Sequence, residues 1–217
     1  MIPKGGGSAS VVNDIADMRP ITLLSELGKV TSRILAERMA TVFANVPSLL
    51  HPSQRAFQRN GDTGQCVDVA LDVIEDYHDK RGGKSDLFCL SYDQAKAYDS
   101  VQEYSIRCAL ERFGLPEAAV SFFCSTLHDA QSAVITEAGP TRRFPVRSSV
   151  RQGDPCAPLI FIMVADVLHR GYSALKLDDK DGVGYTFRNG APLVVTSCGY
   201  ADDVLVFAES RQGLEDA

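Results

Sequence analysis

Two short apolar segments near the end of the chain flank a pair of aspartates. Residues 193–198 and 204–208 are rich in side chains that favour β-strands, and residues 199–203 between them read Gly-Tyr-Ala-Asp-Asp. So short a connection predicts a hairpin with Asp202 and Asp203 at its tip. Asp is common in turns because its side chain bonds the local backbone. For an isolated pair, turn formation is therefore the simpler interpretation.

A third aspartate follows another apolar segment. Residues 87–92 read Leu-Phe-Cys-Leu-Ser-Tyr, which predicts a buried strand, and Asp93 comes next. If this strand lies beside the hairpin in one sheet, three carboxylates converge at its edge and repel one another. Two Mg²⁺ ions, which prefer oxygen ligands, would remove that repulsion. Such an ion pair activates an attacking hydroxyl and stabilises a leaving phosphate, so the pattern favours phosphoryl or nucleotidyl transfer.

Helical patterns dominate the first half of the chain. Apolar residues recur at intervals of three and four over 22–45 and again over 64–80, which predicts two amphipathic helices. Ser100 and Glu103 have the spacing of a capping box, and Gly114 is a typical stop signal. We therefore expect a third helix between Ser100 and Gly114.

The second half of the chain mixes helices with strands. Residues 116–128 predict a helix, residues 132–148 a hairpin, and residues 156–175 a helix that is apolar on most sides and hence buried. Helices combined with mostly non-alternating strands indicate an α+β fold.

The charge of the chain is unevenly distributed. Its formal net charge is −6, but residues 1–60 hold seven basic and four acidic side chains, a balance of +3 that leaves −9 for the remainder. A basic part beside an acidic part suits a protein that binds phosphate in one region and metal in another. Ordinary solvated surface charge explains the same asymmetry and is favoured on charge alone.

Composition and the N-terminal sequence predict an intracellular protein that is not secreted. The first residues lack the apolar centre of a signal peptide, and the longest nearly uncharged apolar stretch, residues 156–165, is too short to span a membrane. The six cysteines include no Cys-x-x-Cys pair, so neither a zinc site nor a disulfide framework is expected. The sequence does not distinguish nucleus from cytoplasm, and it names no protein partner.

Several segments resemble the reverse transcriptases of retrotransposons that lack long terminal repeats, and they occur in that family's order. They are residues 2–4 (Ile-Pro-Lys), 19–24 (Arg-Pro-Ile-Thr-Leu-Leu), 27–29 (Leu-Gly-Lys), 54–57 (Gln-Arg-Ala-Phe), 93–99 (Asp-Gln-Ala-Lys-Ala-Tyr-Asp), 152–155 (Gln-Gly-Asp-Pro) and 200–203 (Tyr-Ala-Asp-Asp). Each match is weak alone, but their order and their span over nearly the whole chain make coincidence implausible.

The resemblance assigns roles to the aspartates and to one aromatic residue. Asp93, Asp202 and Asp203 are implied to be catalytic and to bind two Mg²⁺ ions, with Mn²⁺ as a substitute. Tyr98 is implied to lie under the sugar of the incoming nucleotide and to exclude a ribose 2′-hydroxyl. The alternative is that Tyr98 is a core aromatic residue beside the strand.

Four further residues are implied to bind substrate. Gln152 and Gly153 are placed by the resemblance at the nascent base pair, where a glycine permits close approach of the backbone to a ligand. A plain turn before the buried helix is the alternative. Lys4 and Arg19 match basic residues that contact the incoming triphosphate, and exposed surface cations are the alternative.

The expected fold is the fingers and palm of a right-hand polymerase, with an antiparallel palm sheet backed by helices. Residues 1–84 would form the fingers portion and 85–217 the palm portion, cut off after the Tyr-Ala-Asp-Asp hairpin with the thumb absent. The implied activity is RNA-templated DNA synthesis as part of a retroelement polyprotein, with an RNA template, a DNA primer and deoxynucleoside triphosphates as partners and no membrane. The alternatives are an inactive, degenerate remnant that at most binds nucleic acid, and an RNA-copying RNA polymerase, which Tyr98 opposes.

Overall fold

The computed structural model describes residues 2–3, 18–19, 21–81, 86–127, 130–146, 148–177, 183–187 and 193–217. A short 3-10 helix, Pro47–Leu49, follows the first α-helix. In chain order the strands and α-helices of these residues are β1 (Ile2–Pro3), β2 (Met18–Arg19), α1 (Glu26–Asn45), α2 (Thr63–Arg81), β3 (Phe88–Asp93), α3 (Ala97–Ser100), α4 (Glu103–Arg112), α5 (Glu117–Leu127), β4 (Gln131–Ser132), β5 (Ile135–Thr136), β6 (Gly139–Pro140), β7 (Phe144–Pro145), α6 (Ala157–Leu177), β8 (Tyr185–Thr186), β9 (Val194–Val195), β10 (Ser197–Tyr200), β11 (Asp203–Ala208) and α7 (Arg211–Asp216).

A three-stranded antiparallel sheet carries the predicted aspartates. Its order is β10-β11-β3, so β11 pairs with both of the other strands. Tyr200 pairs with Asp203, which leaves Ala201 and Asp202 as a two-residue loop between β10 and β11. The predicted hairpin, and the predicted strand beside it, are both confirmed.

Strand β3 is more exposed than its apolar sequence predicts. Residues 87–92 suggest a buried strand, yet Cys89, Leu90 and Ser91 are exposed. The reason is its position, because β3 lies at the edge of the sheet with β11 on one side, and the short helix α7 packs on it. Apolar composition alone does not separate a central strand from an edge strand.

Local hydrogen bonds set the ends of α1 and α4. The Ser25 hydroxyl accepts a bond from the Gly28 N–H (3.2 Å), so α1 begins at Glu26 and not at residue 22 as predicted. After α4, Gly114 has a φ of 75°, and its N–H donates to the Glu111 carbonyl (2.9 Å), which is the predicted glycine stop.

The predicted capping box at Ser100 is wrong. Ser100 is the last residue of α3, and its hydroxyl donates to the Ala97 carbonyl (3.0 Å). Helix α4 begins at Glu103, two residues after the start that a cap at Ser100 predicts, and it has no side-chain cap. The short helix α3 forms between the predicted strand and the predicted helix, and it takes the residue that would have been the cap.

Helix α6 forms the centre of the main core, as its all-round apolar sequence predicts. Phe161, Ile162 and Met163 are buried, and the helix packs against α4, α1 and β10. Among the described residues, α6 is the one helix that is long and apolar enough to cross a membrane. In its apolar part, within Ala157–Lys176, 44% is buried inside the chain. The packing on three other elements identifies it as a core helix.

Helix α1 has apolar residues on two faces. Its core-facing side carries Ser32, Leu35, Ala36, Met39 and Phe43, which recur at intervals of three and four. The other apolar residues that support the prediction of an amphipathic helix are exposed, namely Leu27, Val30, Ile34 and Val42. The helix is confirmed, and of the apolar residues that predict it only some, such as Leu35 and Met39, face the core.

Candidate active site

The three predicted aspartates lie at one end of the β11–β3 pair. Asp93 ends β3 and Asp203 begins β11, and the two residues are direct partners in the antiparallel register. Opposed residues in such a pair have Cβ atoms about 4.5–5.5 Å apart. Asp202 precedes Asp203 in the two-residue loop and is half-buried, whereas Asp93 and Asp203 are exposed.

The donor set fits a divalent cation by ligand type and backbone placement, because carboxylate oxygens are the ligands that Mg²⁺ prefers. In the part of the chain that the structure describes, however, no three carboxylate, imidazole or thiol side chains are gathered into a metal site. The backbone nevertheless places all three aspartates at one edge of the sheet.

Tyr98 lies beside Asp202. Burial, followed by the charges of Asp202 and then Tyr200, raises the pKa of Tyr98 to about 12. The ring stacks on Phe161 at 4.5 Å between centroids and 10° between planes, and it packs against the main core. The ring therefore lies next to an aspartate of the predicted site and also belongs to the packed interior, so it combines the features of both roles that the sequence left open.

Residues 148–154 run from Tyr98 to the start of α1. The Val150 N–H donates to the Tyr98 carbonyl (2.8 Å), and the Thr22 N–H donates to the Gln152 carbonyl (2.7 Å). Gly153 has a φ of 110°, and a Cβ there would lie 2.6 Å from the Thr22 carbonyl oxygen. The chain itself thus explains why position 153 is glycine, so this glycine gives no independent sign of a ligand.

The segment after Gly153 is fixed to α1. The Asp154 carboxylate accepts hydrogen bonds from the Ser32 hydroxyl and from the Cys156 N–H (2.9 Å for the latter). The Cys156 thiol donates to the Ser32 carbonyl (2.9 Å). The segment that carries Gln152 is consequently held between α1 and α6. The same segment is bonded to Tyr98 through the Val150 N–H.

Of the two residues predicted to contact the triphosphate, Lys4 and Arg19, the structure describes only the backbone of Arg19. Lys4 lies outside the described residues. Arg19 lies in β2, where its backbone pairs with Ile2 of β1, two positions before Lys4. The antiparallel β1–β2 pair therefore joins the chain segments on which both predicted basic residues are found.

A residue that the sequence did not assign to the site, Gln54, contacts the aspartate loop directly. It is fully buried, and its side-chain amide bonds both the N–H and the carbonyl of Ala201 (3.0 and 3.2 Å). The segment 54–57 contributes to the family resemblance, but nothing in the sequence indicates that Gln54 reaches across 147 positions to the hairpin. Only the fold shows this contact.

Two stacked histidines lie behind the same hairpin. The rings of His51 and His169 are 5.9 Å apart and 11° from parallel. Burial lowers the pKa of His169 to about 4, and the neighbouring His51 adds to this effect. Nδ1 of His169 bonds the Ser197 hydroxyl (2.9 Å), and its Cε1 lies 2.9 Å from the place where a Cβ at Gly199 would stand. The histidines support β10 and lie away from the carboxylate edge.

Sequence comparison relates the chain to retrotransposon proteins. It is 30% identical over 212 residues to the Retrovirus-related Pol polyprotein from type-1 retrotransposable element R2 of Popillia japonica, covering 97% of the chain and 27% of that protein. It is also 30% identical over 201 residues to the type-2 element R2DM polyprotein of Drosophila melanogaster, covering 92% and 17%. The chain thus spans about a quarter or less of the length of these relatives.

Solved structures show the same fold. Telomerase from Candida albicans, in complex with a TWJ fragment of telomeric RNA, superposes with a TM-score of 0.55 over 88% of this chain and 32% of that one, at 12% identity. Telomerase from Candida tropicalis gives a TM-score of 0.58 over 88% and 30%. These likenesses confirm the predicted α+β fold of an antiparallel sheet backed by helices.

The sequence profile described as "Reverse transcriptase (RNA-dependent DNA polymerase)" matches residues 2–217, which is almost the entire chain. Two of the motifs that carry the resemblance in sequence, residues 93–99 and 200–203, begin or lie at one edge of the same sheet in the structure. The chain therefore belongs to the reverse transcriptase family, and its relatives are the polyproteins of retrotransposable elements that lack long terminal repeats.

Proposed function

We propose that the chain carries the active site for RNA-templated DNA synthesis within a retroelement polyprotein. The observation that carries the proposal is the register of the sheet, which places Asp93 opposite Asp203 with Asp202 in the adjoining loop. An RNA template, a DNA primer and deoxynucleoside triphosphates are the partners. Transfer of a nucleotide to a primer 3′-hydroxyl needs two or three carboxylates at one point, and this edge provides them.

Asp93, Asp202 and Asp203 would hold two Mg²⁺ ions, with Mn²⁺ as a substitute. Bound there, the ions would activate the primer hydroxyl and stabilise the leaving pyrophosphate. The chain supplies the placement of the ligands, because β3 and β11 fix two of the three aspartates through the ladder between them. Rate enhancement then comes from proximity and from charge neutralisation, without a covalent intermediate.

The remaining predicted residues are proposed to bind the nucleotide and the template. Tyr98, rigid on Phe161 and adjacent to Asp202, is suited to exclude a 2′-hydroxyl by shape. Gln152 and Gly153 are proposed to lie at the nascent base pair, and Lys4 and Arg19 to contact the triphosphate. We also retain, as parts of this proposal, a fingers portion over residues 1–84, a palm portion over 85–217 and an intracellular location.

Single-nucleotide incorporation tests the proposal most directly. The purified chain is mixed with an RNA template, a DNA primer and one complementary deoxynucleotide, with Mg²⁺ or Mn²⁺, at low salt and high protein concentration. We expect Asp202→Asn to lower the incorporation rate about 100-fold or more, because the substitution removes a charged ligand. Asp72→Asn, at an exposed position of α2, is the matched control and should leave the rate unchanged.

Two results would contradict the proposal. A folded wild type that incorporates nothing with either metal would favour the degenerate remnant, since the chain would then retain the fold without the chemistry. A wild type that prefers ribonucleotides would favour an RNA-copying RNA polymerase. The dependence on Asp202 separates incorporation by this chain, of either kind of nucleotide, from contaminating polymerase activity.

A further inference from the structure

The loop that carries Asp202 has an unusual backbone. Ala201 is the first of its two residues and has a φ of 58°, whereas Asp202 has no positive φ. A positive φ at the first loop residue alone is the pattern of a type II′ turn, in which glycine is preferred at that place. A residue with a Cβ keeps such a conformation only where its surroundings enforce it.

The side chain of Gln54 provides that enforcement. Its Oε1 accepts hydrogen bonds from the N–H groups of Ala201 (3.0 Å) and Ala56 (3.1 Å), and its Nε2 donates to the Ala201 carbonyl (3.2 Å). The reverse orientation of the amide would set its NH₂ group against two N–H donors, so the network fixes which atom is oxygen. The Gln54 side-chain amide thus bonds both the N–H and the C=O of Ala201, as the backbone of a paired strand would.

The backbone on either side of Gln54 is itself attached to the hairpin. The Gly199 N–H donates to the Ser53 carbonyl (2.8 Å), and the Arg55 N–H donates to the Gly199 carbonyl (2.9 Å). The Gln54 carbonyl accepts a hydrogen bond from the Gln58 side chain. Residues 53–55 therefore lie along the edge of β10 that does not pair with β11, and the Gln54 side chain lies at the loop.

We infer that Gln54 is a positioning residue that sets the orientation of Asp202 relative to Asp93. This inference rests on the proposed function of the aspartates. Asp93 and Asp203 are fixed by the β3–β11 ladder, but Asp202 lies outside that ladder, and its direction depends on the peptide units of the loop. Gln54 bonds both polar groups of the residue before Asp202 and thereby holds those peptide units. Because Gln54 is fully buried, we assign it an effect through the loop and not on the substrate.

The test uses Gln54→Met, which keeps the length and approximate volume of the side chain and removes its hydrogen bonds. Gln65→Met is the matched control, because Gln65 also uses its side-chain amide on a backbone carbonyl, that of Asn60 (2.8 Å) and not one of the loop that carries Asp202. Two quantities are measured in each variant. The first is hydrogen exchange at the amides of Ala201, Val204 and Val206, and the second is kcat and KM for single-nucleotide incorporation.

We expect Gln54→Met to speed exchange at Ala201 by about 10-fold or more while Val204 and Val206 stay protected. We expect kcat to fall about 10- to 100-fold, as for a misplaced catalytic group, with KM changed less than about 3-fold. Gln65→Met should change neither quantity. This split between kcat and KM is not expected from a residue that only contributes to folding.

Three outcomes would overturn the inference. One is unchanged exchange at Ala201, another is an unchanged kcat in an active enzyme, and the third is loss of protection at Val204 and Val206 together with Ala201, which would make Gln54 a general fold residue. An inactive wild type in which Gln54→Met still exposes only the Ala201 amide would contradict the proposed function, while the control of the loop by Gln54 would stand.

Discussion

Tyr98 is the residue whose surroundings favour a role in choosing the sugar. Its ring is held flat on Phe161, and its hydroxyl is near enough to Asp202 for the charge to raise its pKa. A ring clamped in this way cannot move aside for an extra hydroxyl without disturbing the core. A flexible side chain in the same place would discriminate poorly between ribose and deoxyribose.

We predict that Tyr98→Ala raises ribonucleotide use and lowers the efficiency with deoxynucleotides. Removal of the ring relieves the overlap with a 2′-hydroxyl but also removes packing under the sugar. The ratio of kcat/KM for the matching deoxy- and ribonucleoside triphosphate should fall about 10-fold or more, which corresponds to the strain of one overpacked group. The measurement is single-nucleotide incorporation on an RNA template.

Tyr104→Ala is the control for this substitution, because Tyr104 is 75% exposed on α4 and should leave the ratio unaltered. An unchanged ratio in Tyr98→Ala would assign the ring to the core alone. Stability should be compared as well, since loss of the stack on Phe161 destabilises the fold in either case.

The site residues that the sequence predicts are marked by their local sequence. The residue that the sequence misses, Gln54, is marked only by a contact with a residue 147 positions away. Asp93, Asp202 and Asp203 lie at the ends of apolar segments predicted to be strands, so the sequence predicts that they meet at one edge if those strands share a sheet, and the strands do. The role of Gln54 depends on the positive φ of Ala201 and on a pairing with a distant segment. Neither feature leaves a local signal in the sequence. Gly153 differs again, because the Thr22 carbonyl already accounts for a glycine there, and its place at the nascent base pair stays a prediction.

At the scale of elements, the packing of β10 on α6 stabilises the hairpin that carries Asp202. His169 of α6 is fully buried against β10, where its Nδ1 bonds Ser197 and its ring leaves no room for a Cβ at Gly199. Among the described residues no hydrogen-bond partner is found for its Nε2. A proton on that nitrogen would add a buried charge without a partner, which explains the lowered pKa.

This arrangement predicts a loss of stability in mild acid. The pKa of His169 is about 4 in the folded chain against 6.5 for an ordinary histidine, so the unfolded chain binds more protons between these values. The stabilisation by neutral His169 is complete above pH 6.5 and decreases as the pH falls toward 4, by about 3 kcal/mol in total. Denaturant unfolding at several pH values measures this difference.

His169→Gln removes the titrating group, so the dependence of its free energy of unfolding on pH should be shallower than that of wild type over this range. His51 has a pKa lowered mainly by burial and contributes in the same direction, which leaves part of the dependence in the variant. His78→Gln is the control, because the His78 side chain is 88% exposed on α2. Equal slopes in wild type and His169→Gln would contradict the prediction.

Most helices and strands could be predicted from the sequence, but which of their faces are buried could not. Periodicity correctly predicts α1, but it does not separate Leu27, Val30 and Ile34, which are exposed, from Leu35 and Met39, which face the core. The strand at 88–93 is found but expected to be buried. In each case the sequence specifies the element, and its neighbours, which lie far away in sequence, decide which side is covered.

At the scale of the whole molecule, the chain is a part of what its relatives contain. The alignments cover almost all of this chain, but only 27% of the Popillia japonica polyprotein and 17% of the Drosophila melanogaster one. The formal net charge is −6, and residues 1–60 are the part with a positive balance, +3, so under the proposed function we expect the phosphate contacts to concentrate there. Binding of a primer–template by this chain alone must then depend on a small number of phosphate contacts.

We therefore predict weak and strongly salt-dependent binding, together with little processive synthesis. Each phosphate contact releases a counterion, so affinity falls steeply as salt is raised, and the slope of log K against log salt reports the number of contacts. With seven basic side chains in residues 1–60, that slope should not exceed about 6 in magnitude. Fluorescence anisotropy at several salt concentrations measures the slope, and primer extension on RNA with a cold competitor measures processivity. Products of many nucleotides under single-encounter conditions would contradict the prediction, because they require a grip on the duplex that a few contacts in the first 60 residues cannot provide.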